Sequence, residues 1–572
     1  MPAHTVSRAL AAYLLCGAAV VSAAPEPELR GCGVAARTQG GWVCGARRID
    51  AAGAPYASFR GVPYAKQPLG ELRFQELQQV DSWTGVLNAT AEGPVCPQSD
   101  VVYQGLQTHA GGMSEACIHA NVHAPLAALP PPSASDDVVA NRSGLPILVF
   151  IHGGGFAFGS GDTDLYGPEY LVNKGVIVIT FNYRLNVFGF LSLGSASVPG
   201  NNGLRDCVTL LRWVRANARR FGGDPARVTL AGQSAGAALA HLLALSPAAK
   251  GLFQRVALLS GTGNSEFFST SPAFAQLAAG LLLGKLGVPA EPEEAHRRLV
   301  AAPLPALMAA HSELLELFGL SVFAPVVEAP HPGVIVLDED PDVLIAKGRG
   351  RDIPHLIGFT SAECETFRPR LRDINIEKMI AGTEAVLLTP KLTYQTPPAT
   401  APSLIAAIQR EYFNESISIE RFIAYCSDAY YAYPAMKLAE RRAAAGRTYL
   451  YRFAYPGQRS PVKEALQLNF TGAGHIEDMT YVFRANAVLG PPAAREPGAG
   501  GRDDEMRARM TDYLVNFMRD SEPASACSWP EVTQPLQLKD ISAPGAEPAR
   551  ALSEEQTRVL AFFDGLHRAA AN

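Results

Sequence analysis

A serine flanked by glycines, in the run Gly232-Gln233-Ser234-Ala235-Gly236, is the pattern with the clearest chemical meaning in this chain. The G-x-S-x-G pattern is typical of a sharp strand-to-helix turn that exposes a serine hydroxyl for nucleophilic attack. Because the chain contains 52 glycines, the same pattern also arises by chance at a structural turn. The apolar run Val228-Thr229-Leu230 before it and an Ala/Leu-rich helical stretch after it favour the nucleophile.

A second glycine-rich run, His152-Gly153-Gly154-Gly155-Phe156, follows another apolar segment. The HGGG pattern supplies backbone N–H groups to a developing oxyanion, which they approach to about 3 Å only if no side chain stands in the way. A flexible turn is the alternative explanation of a triple glycine. The two runs together favour a serine hydrolase, in which an acid and a histidine follow the serine along the chain.

The sequence pattern indicates the acid and the histidine less clearly than it indicates the serine. Among 12 histidines, His475 stands out because it lies in the Gly-rich turn Gly472-Ala473-Gly474, after a predicted strand. Glu363 lies a few residues beyond the apolar run that ends at Phe359, but spacing alone does not separate it from Glu365. Since a lone carboxylate in a loop is usually just solvated, the choice of acid stays open at this point.

The elements that would position these residues alternate between strand and helix. Short apolar runs rich in β-branched residues at 149–151 and 176–181 predict strands buried on both faces of a parallel sheet. Further strands are predicted at residues 228–230, 355–359 and 449–453. Apolar residues at helical spacing predict a helix over 204–219. Pro- and Gly-rich stretches predict loops at 125–146 and 490–504. The alternation indicates an α/β sheet.

The N-terminus has the pattern of a secretory signal peptide, in which Arg8 precedes an apolar run over residues 9–21 and small residues follow. We therefore predict a signal peptide at residues 1–23 and a secreted, extracellular protein. The apolar run is shorter than the roughly 20 residues that a membrane anchor needs, and no later segment is apolar for long enough to span a bilayer. We expect no membrane anchor.

The charge balance limits the kinds of partner. The chain of 572 residues has 49 basic and 54 acidic residues, which offers no electrostatic attraction for nucleic acid or anionic lipid. We therefore expect a small-molecule partner and no nucleic acid. Length alone suggests three or four domains, but no break in composition divides the chain.

The cysteine count fits an oxidising compartment. Loss of Cys16 with the signal peptide leaves eight cysteines, an even number. The pairs Cys32–Cys44 and Cys96–Cys117 each close a short loop and are the preferred disulfides, although connectivity does not follow from sequence alone.

The other four cysteines are harder to assign. Cys207 lies in a helical pattern and Cys364 beside a proposed catalytic residue, so both are candidates for free thiols. A pairing of Cys426 with Cys527 is only an alternative. Four Asn-X-Ser/Thr sequons are candidate glycosylation sites in a secreted protein: Asn88, Asn141, Asn414 and Asn469.

Several further stretches resemble the type B carboxylesterase family, which includes cholinesterases, insect esterases and juvenile hormone esterases. They are Gly61-Val62-Pro63-Tyr64-Ala65, Gly70-Glu71-Leu72-Arg73-Phe74, Asn182-Tyr183-Arg184 and Phe221-Gly222-Gly223-Asp224-Pro225. The similarity runs from about residue 41 to the C-terminal region. It implies an α/β-hydrolase fold, with a mostly parallel central sheet flanked by helices and long insertions, in a single catalytic domain over residues 24–572.

The resemblance also implies roles for individual residues. It places the acid at Glu363 and the base at His475, which would act with Ser234 through an acyl-enzyme. The oxyanion donors that it implies are the N–H groups of Gly154, Gly155 and Ala235. It places the family's first disulfide on Cys96 and Cys117, and it implies that no metal or cofactor is required.

Within the family, Gln233 indicates one particular group of members. Most members have Glu before the nucleophile, whereas the juvenile hormone esterases resemble this Gly-Gln-Ser-Ala-Gly. Arg73-Phe74 and the spacing Gly472-x-x-His475-x-x-Asp478 also resemble that group, whereas Asp206-Cys207 departs from its Asp-Gln pair. The resemblance therefore implies a small hydrophobic ester substrate such as juvenile hormone. A general or odorant-degrading insect carboxylesterase is the alternative.

Two other members of the family fit less well. A cholinesterase needs an aromatic platform for a quaternary ammonium, and the first disulfide loop, residues 97–116, contains no tryptophan. A non-catalytic adhesion protein of the same fold would usually have lost the serine. Five phenylalanines are candidates for the substrate pocket but cannot be placed from sequence: Phe156, Phe188, Phe267, Phe268 and Phe318.

Overall fold

The computed structural model describes residues 29, 31–102, 106–109, 111–414, 416–489, 501–545 and 547–571. The predicted signal peptide at residues 1–23 lies outside these residues, as does most of the predicted loop at 490–504. None of the helices in the described ranges is long and apolar enough to cross a membrane.

A single sheet runs through the described part of the chain. Its strands are β1 (Val34–Arg37), β2 (Trp42–Ile49), β3 (Pro55–Pro63), β4 (Val86–Asn88), β5 (His119–Pro125), β6 (Leu145–Ile151), β7 (Ile177–Phe181), β8 (Gly223–Gln233), β9 (Arg255–Leu259), β10 (His355–Thr360), β11 (Thr448–Phe453), β12 (Gln537–Ile541) and β13 (Arg550–Ala551). The strand order is β1-β2-β3-β5-β7-β6-β8-β9-β10-β11-β12-β13, with β4 paired to β2. Strands β7 to β12 in this order are parallel, which confirms the predicted mostly parallel centre.

Helices cover both faces of the sheet. The α-helices are α1 (Asp136–Asn141), α2 (Glu169–Val172), α3 (Asn186–Phe190), α4 (Asn202–Asn217), α5 (Ala235–Leu245), α6 (Pro272–Leu286), α7 (Pro292–Ala301), α8 (Leu304–Phe318), α9 (Pro341–Ala346), α10 (Arg368–Asp373), α11 (Ile376–Gly382), α12 (Pro390–Gln395), α13 (Ala401–Ile408), α14 (Ile419–Ser427), α15 (Tyr433–Arg442), α16 (Pro461–Ala465), α17 (Asn486–Leu489), α18 (Arg502–Asp520) and α19 (Glu554–Ala570). Shorter 3-10 and π segments lie at Gly70–Leu72, Leu126–Ala128, Ala218–Phe221, Pro247–Ala249, Glu363–Phe367, Glu384–Leu387, Gln409–Phe413, Asp428–Ala432 and Asp478–Tyr481.

Strand β6 illustrates why the central strands are apolar throughout. Ile147 and Val149 pack into the larger core on one face, while Leu148 and Phe150 pack into the second core on the other. Because successive side chains of a strand point to opposite faces, a strand covered on both sides needs apolar residues at every position. This is the reason that a run of consecutive apolar residues predicted these strands correctly.

The parallel arrangement brings three chain segments to one edge of the sheet. Strands β6, β8 and β10 end at Ile151, Gln233 and Thr360, and their carboxyl ends share that edge because all three run in the same direction. The glycine-rich run, the serine and the candidate acid follow directly after these strands. In open α/β sheets, ligands bind outside the carboxyl ends of the strands.

The predicted helix over 204–219 is present as α4, but the predicted loop at 125–146 is only partly irregular. It contains the short helix α1, which begins after Ser135, whose hydroxyl accepts a hydrogen bond from the Val138 N–H at 3.4 Å. The loop was predicted from its prolines, and that prediction overlooked Ser135 as the N-cap of a helix. The cap satisfies one of the N–H groups that a helix start leaves unpaired.

The cysteine assignments are partly wrong. The structure contains the disulfides Cys32–Cys44, Cys96–Cys117 and Cys364–Cys426. Neither the free thiol at Cys364 nor the pairing of Cys426 with Cys527 is therefore correct. The reason lies in tertiary packing, because the 3-10 helix Glu363–Phe367 packs on α14, which carries Cys426.

The two remaining cysteines are free thiols: Cys207 is buried and Cys527 is exposed. The four sequon asparagines all lie in exposed positions.

Candidate active site

Ser234 lies at a sharp turn between β8 and α5, with φ of 57° and ψ of −128°. A non-glycine residue at positive φ stores about 1–3 kcal/mol of backbone strain and persists only where its surroundings hold it. The flanking glycines permit the turn, because a Cβ on Gly232 would lie 2.3 Å from the Gly236 backbone, and one on Gly236 would lie 2.1 Å from the Ile151 carbonyl oxygen. The sequence pattern therefore corresponds to a real close approach of backbones.

Glu363 and His475 meet beside this turn. Oε2 of Glu363 lies 2.5 Å from Nδ1 of His475, and both side chains are buried. The other carboxylate oxygen, Oε1, accepts the Thr360 N–H at 2.7 Å. The competing candidate, Glu365, pairs instead with Arg368 at 2.7 and 2.9 Å, so the geometry selects Glu363 as the carboxylate that orients the imidazole.

The two loops that carry Glu363 and His475 are joined along their backbones. The Ala362 N–H donates to the Ala473 carbonyl at 2.8 Å, and the His475 N–H donates to the Glu363 carbonyl at 3.2 Å. The imidazole is also packed between rings, with the centroids of Phe367 and Tyr431 at 5.1 and 4.9 Å. The histidine ring thus has a fixed position.

The Nε2 atom of His475 has a partner that the sequence did not suggest. Nε2 of the Gln233 amide lies 3.0 Å from it, whereas no hydrogen bond joins Ser234 Oγ to the imidazole among the described residues. In the free protein the predicted base therefore contacts the side chain before the serine rather than the serine itself.

The glycine-rich run after β6 wraps around the same turn. Gly154 and Gly155 have φ of +108° and +58°, and a Cβ on Gly154 would lie 2.0 Å from the Phe158 carbonyl oxygen. The N–H groups of Gly154, Gly155 and Ala235 have no acceptor among the described residues. They are donors available to a charged oxygen.

His152 braces this run. Its Nδ1 lies 2.8 Å from the Gly153 carbonyl oxygen, and its ring stacks on Tyr183, whose hydroxyl donates to the His152 carbonyl at 3.0 Å. Burial lowers the pKa of His152 to about 4. This histidine is therefore neutral at physiological pH, and its contacts hold the glycine-rich run in its conformation.

Asp478 is a buried carboxyl behind Glu363. Burial, reinforced by the charge of Glu363, raises the pKa of Asp478 to about 7. Its Oδ2 accepts the Tyr451 hydroxyl at 2.8 Å, and its Oδ1 accepts the Met479 N–H at 2.8 Å. The sequence showed this residue only as part of a motif, without this contact.

The raised pKa of Asp478 predicts that the stability of the folded protein depends on pH. An unfolded chain releases this proton near pH 4, while the folded protein keeps it to about pH 7, so stability falls as pH rises between these values. The variant Asp478→Asn has no such proton, and its free energy of unfolding should improve relative to the parent by up to about 1.4 kcal/mol per pH unit in this interval. Urea unfolding at pH 5, 6, 7 and 8 measures this difference; a constant difference would contradict it.

Two motif pairs brace the chain around the site. Arg73 donates to both carboxylate oxygens of Glu115 at 2.6 and 2.7 Å. Arg184 donates to both oxygens of the buried Asp206 at 2.7 and 2.8 Å. Removing one partner of a buried pair such as Arg184–Asp206 typically costs about 3–5 kcal/mol. Arg73–Glu115 is partly exposed, and both pairs support the fold.

A cavity of about 330 Å³ lies next to the glycine-rich run at residues 152–156, the candidate oxyanion loop. Most of its lining is apolar, and the wall includes Phe267, Phe318, Leu320, Ser321, Tyr394 and Tyr430. The Ser321 hydroxyl donates to the Gly155 carbonyl at 3.3 Å, which joins the cavity wall to the loop. Tyr430 stacks on Phe267 with centroids 4.9 Å apart, and the next residue, Tyr431, contacts His475.

Of the five candidate phenylalanines, Phe267 and Phe318 line this cavity. Phe156 and Phe268 are fully buried behind it, and Phe188 stacks on Phe74 near the Cys96–Cys117 disulfide. The rest of the lining comes from segments scattered along the chain, which have no common sequence signal.

The cavity opens through an apolar rim and contains one charge. Leu277, Leu317 and Tyr394 at the rim are 41%, 57% and 45% exposed, which is unusual for large apolar side chains. Glu266 is the one charged side chain among the described lining residues. Its Oε2 accepts the Thr389 hydroxyl at 2.5 Å, and Oε1 lies 3.4 Å from Nδ1 of His567.

Comparison with known proteins identifies the class. The model of the carboxylesterase family matches residues 34–560. The chain is 50% identical over 540 residues to juvenile hormone esterase of Heliothis virescens, covering 93% of this chain and 94% of that protein. Among solved structures, juvenile hormone esterase of Manduca sexta, with OTFP covalently attached, has a TM-score of 0.89 and 50% identity over 94% of this chain and 99% of that one.

A more distant solved structure, PNB esterase, has a TM-score of 0.70 and 27% identity, covering 92% of this chain and 99% of that one. The chain therefore belongs to the carboxylesterase family, and the protein is a carboxylic ester hydrolase of the α/β-hydrolase fold. Two juvenile hormone esterases are each 50% identical to it. The predicted family and fold are confirmed.

Proposed function

We propose that the protein hydrolyses esters through Ser234, His475 and Glu363. The observation that carries this proposal is the 2.5 Å contact between Glu363 Oε2 and His475 Nδ1, placed directly beside the strained turn at Ser234. A carboxylate that accepts from Nδ1–H leaves Nε2 as the basic atom of the imidazole. That nitrogen is the one that faces the serine turn.

In this mechanism Ser234 Oγ attacks the ester carbonyl while His475 takes its proton. The carbonyl oxygen becomes an oxyanion, which the unpaired N–H groups of Gly154, Gly155 and Ala235 would stabilise; one such donor is typically worth about 3 kcal/mol. The histidine returns its proton to the leaving alcohol, and an acyl-enzyme forms. Water then attacks the acyl-enzyme by the same steps and frees the acid.

We propose juvenile hormone as the ester, hydrolysed to the acid and methanol. The apolar cavity beside the oxyanion loop supports this proposal, because a methyl ester with a long apolar acyl part needs a long apolar pocket and little room on the leaving side. Binding energy would come from burying hydrocarbon, at about 25 cal/mol per Å². The 50% identity to two juvenile hormone esterases supports the same substrate.

The second candidate is a general or odorant-degrading carboxylesterase. Glu266 favours a general carboxylesterase, which does not need a wholly apolar acyl chain, because a carboxylate on the cavity wall costs free energy when an apolar chain displaces its water. This candidate would place the large apolar group of the substrate in the alcohol rather than in the acid.

A comparison of kcat/KM under identical conditions separates the two candidates. We expect juvenile hormone to exceed acetates of long alcohols and naphthyl acetate by at least about tenfold, which corresponds to about 1.4 kcal/mol of differential transition-state binding. Choline esters should be poor substrates. Acetates of long alcohols that outperform juvenile hormone would replace the first candidate with the second.

We further propose that the mature protein is a single catalytic domain over residues 24–572, secreted after removal of residues 1–23. The three disulfides support an oxidising compartment. The exposure of all four sequon asparagines supports their glycosylation. Mass spectrometry of the secreted protein, before and after digestion with a glycosidase, tests both the removal of residues 1–23 and the glycosylation of these asparagines.

A further inference from the structure

We propose that Gln233 is a positioning residue for His475, whose side-chain amide occupies Nε2 of the imidazole in the free enzyme and favours the neutral base. The inference rests on the proposed function, because it concerns the histidine that would accept the proton of Ser234. It adds a residue outside the triad and the oxyanion donors.

The geometry gives the amide a defined role. Gln233 is fully buried, and its Nε2 lies 3.0 Å from Nε2 of His475. Since Glu363 accepts from Nδ1–H of the same ring, the other nitrogen of the neutral imidazole carries a lone pair. The N–H of the Gln233 amide therefore donates to that lone pair.

Gly153 leaves room for this contact. A Cβ at position 153 would lie 2.6 Å from Oε1 of Gln233 and 3.0 Å from the Ser234 Cβ. That amide oxygen is buried without a hydrogen-bond partner among the described residues. The polar contact that holds the amide in place is thus the one to His475.

The contact distinguishes between the two protonation states of the imidazole. Only the neutral ring has a lone pair at Nε2, so a donor at this position stabilises the form that acts as a base. A carboxylate at position 233 would do the reverse, because it would accept from the N–H of an imidazolium. Glutamine is therefore suited to hold the ring in place before attack without charging it.

The serine and the amide compete for one lone pair. His475 must release the Gln233 N–H before Nε2 accepts the proton of Ser234, so the contact belongs to the free enzyme. Among the described residues, Gln233 alone is hydrogen-bonded to Nε2. The titratable groups against the ring are its carboxylate partner Glu363 and Tyr431. Behind Glu363 lie Asp478, which accepts the Tyr451 hydroxyl, and Glu477, which pairs with Lys463.

The pH dependence of kcat/KM for p-nitrophenyl acetate, from pH 5 to 9, tests the proposal. In Gln233→Glu the midpoint of the acid limb should move to higher pH by about 1 unit or more, because an adjacent negative charge favours the imidazolium. In Gln233→Met, which keeps the length but lacks the donor, it should move in the same direction by about 0.4–1 unit, the effect of one hydrogen bond.

Gln107→Met is the matched control, because Gln107 is another buried glutamine whose amide faces Ser160 at 3.4 Å. It should keep the parent midpoint even if its stability changes. The proposal is overturned if Gln233→Met keeps the parent midpoint, whatever Gln233→Glu does, or if the control moves as far as Gln233→Met. Ser234→Ala in the same assay distinguishes failure of the proposed triad from failure of the role of Gln233. Full activity in Ser234→Ala would overturn the triad. Loss of activity in Ser234→Ala, together with unmoved midpoints in the Gln233 variants, would overturn only the role of Gln233.

Discussion

Replacing Ser234 or His475 by alanine, or Glu363 by glutamine, should leave a folded protein whose kcat is lower by several orders of magnitude, on the order of 10⁴-fold or more. In the proposed mechanism the three groups act as a unit, because the serine needs the base and the base needs the carboxylate that fixes its tautomer. Steady-state hydrolysis of p-nitrophenyl acetate, with circular dichroism to verify folding, measures the effect.

Glu365→Gln is the matched control for Glu363→Gln, since both residues lie in the same 3-10 helix, Glu363–Phe367. Glu365 pairs with Arg368 at a partly exposed position, and such pairs contribute little, about 0–1 kcal/mol. Its variant should be nearly silent. Loss of activity in Glu365→Gln, with Glu363→Gln still active, would show that the acid has been assigned to the wrong glutamate.

Trifluoromethyl ketones that carry an alkyl chain should inhibit the protein strongly, and each methylene added to the chain should tighten inhibition by up to about fourfold, or about 0.8 kcal/mol. The serine adduct of such a ketone imitates the tetrahedral intermediate, while the chain fills the apolar cavity. Inhibition constants for a series of chain lengths, measured after equilibrium is reached, give the increment per methylene.

The variant Leu320→Trp tests whether the chain lies in the cavity described above. Leu320 lines this cavity, and its carbonyl oxygen would lie 3.3 Å from a Cβ at Gly155. A larger side chain there should weaken inhibitors with long chains and spare those with short ones. An increment per methylene that is unchanged in the variant would mean that the chain binds elsewhere.

The sequence by itself predicted the central sheet and the sharp serine turn at its edge. Consecutive apolar residues in the run that became β6 predicted a doubly covered strand, because a strand buried on both faces favours apolar side chains at every position. The glycines around Ser234 predicted the turn, because only residues without a Cβ allow the observed approach of Gly236 to Ile151. Such features are local, and local sterics leave a mark in the sequence.

The roles of Glu363 and His475 depended on resemblance rather than on spacing, and they stay a prediction. What the structure contributes is their juxtaposition: 112 residues separate the two along the chain, yet their side chains lie 2.5 Å apart. Spacing could not separate Glu363 from Glu365, because both follow the same strand, and only the packing of the loops decides which of them faces the imidazole.

Tertiary structure alone decided the partners that are distant in sequence. Cys364 bonds to Cys426 rather than staying free, 62 residues apart, and Gln233 reaches the imidazole of a residue 242 positions away. The wall of the apolar cavity likewise comes from segments between residues 266 and 430. A sequence encodes such contacts only through the packing of the whole core, in which many individually weak interactions add up. No local sequence pattern therefore predicts them.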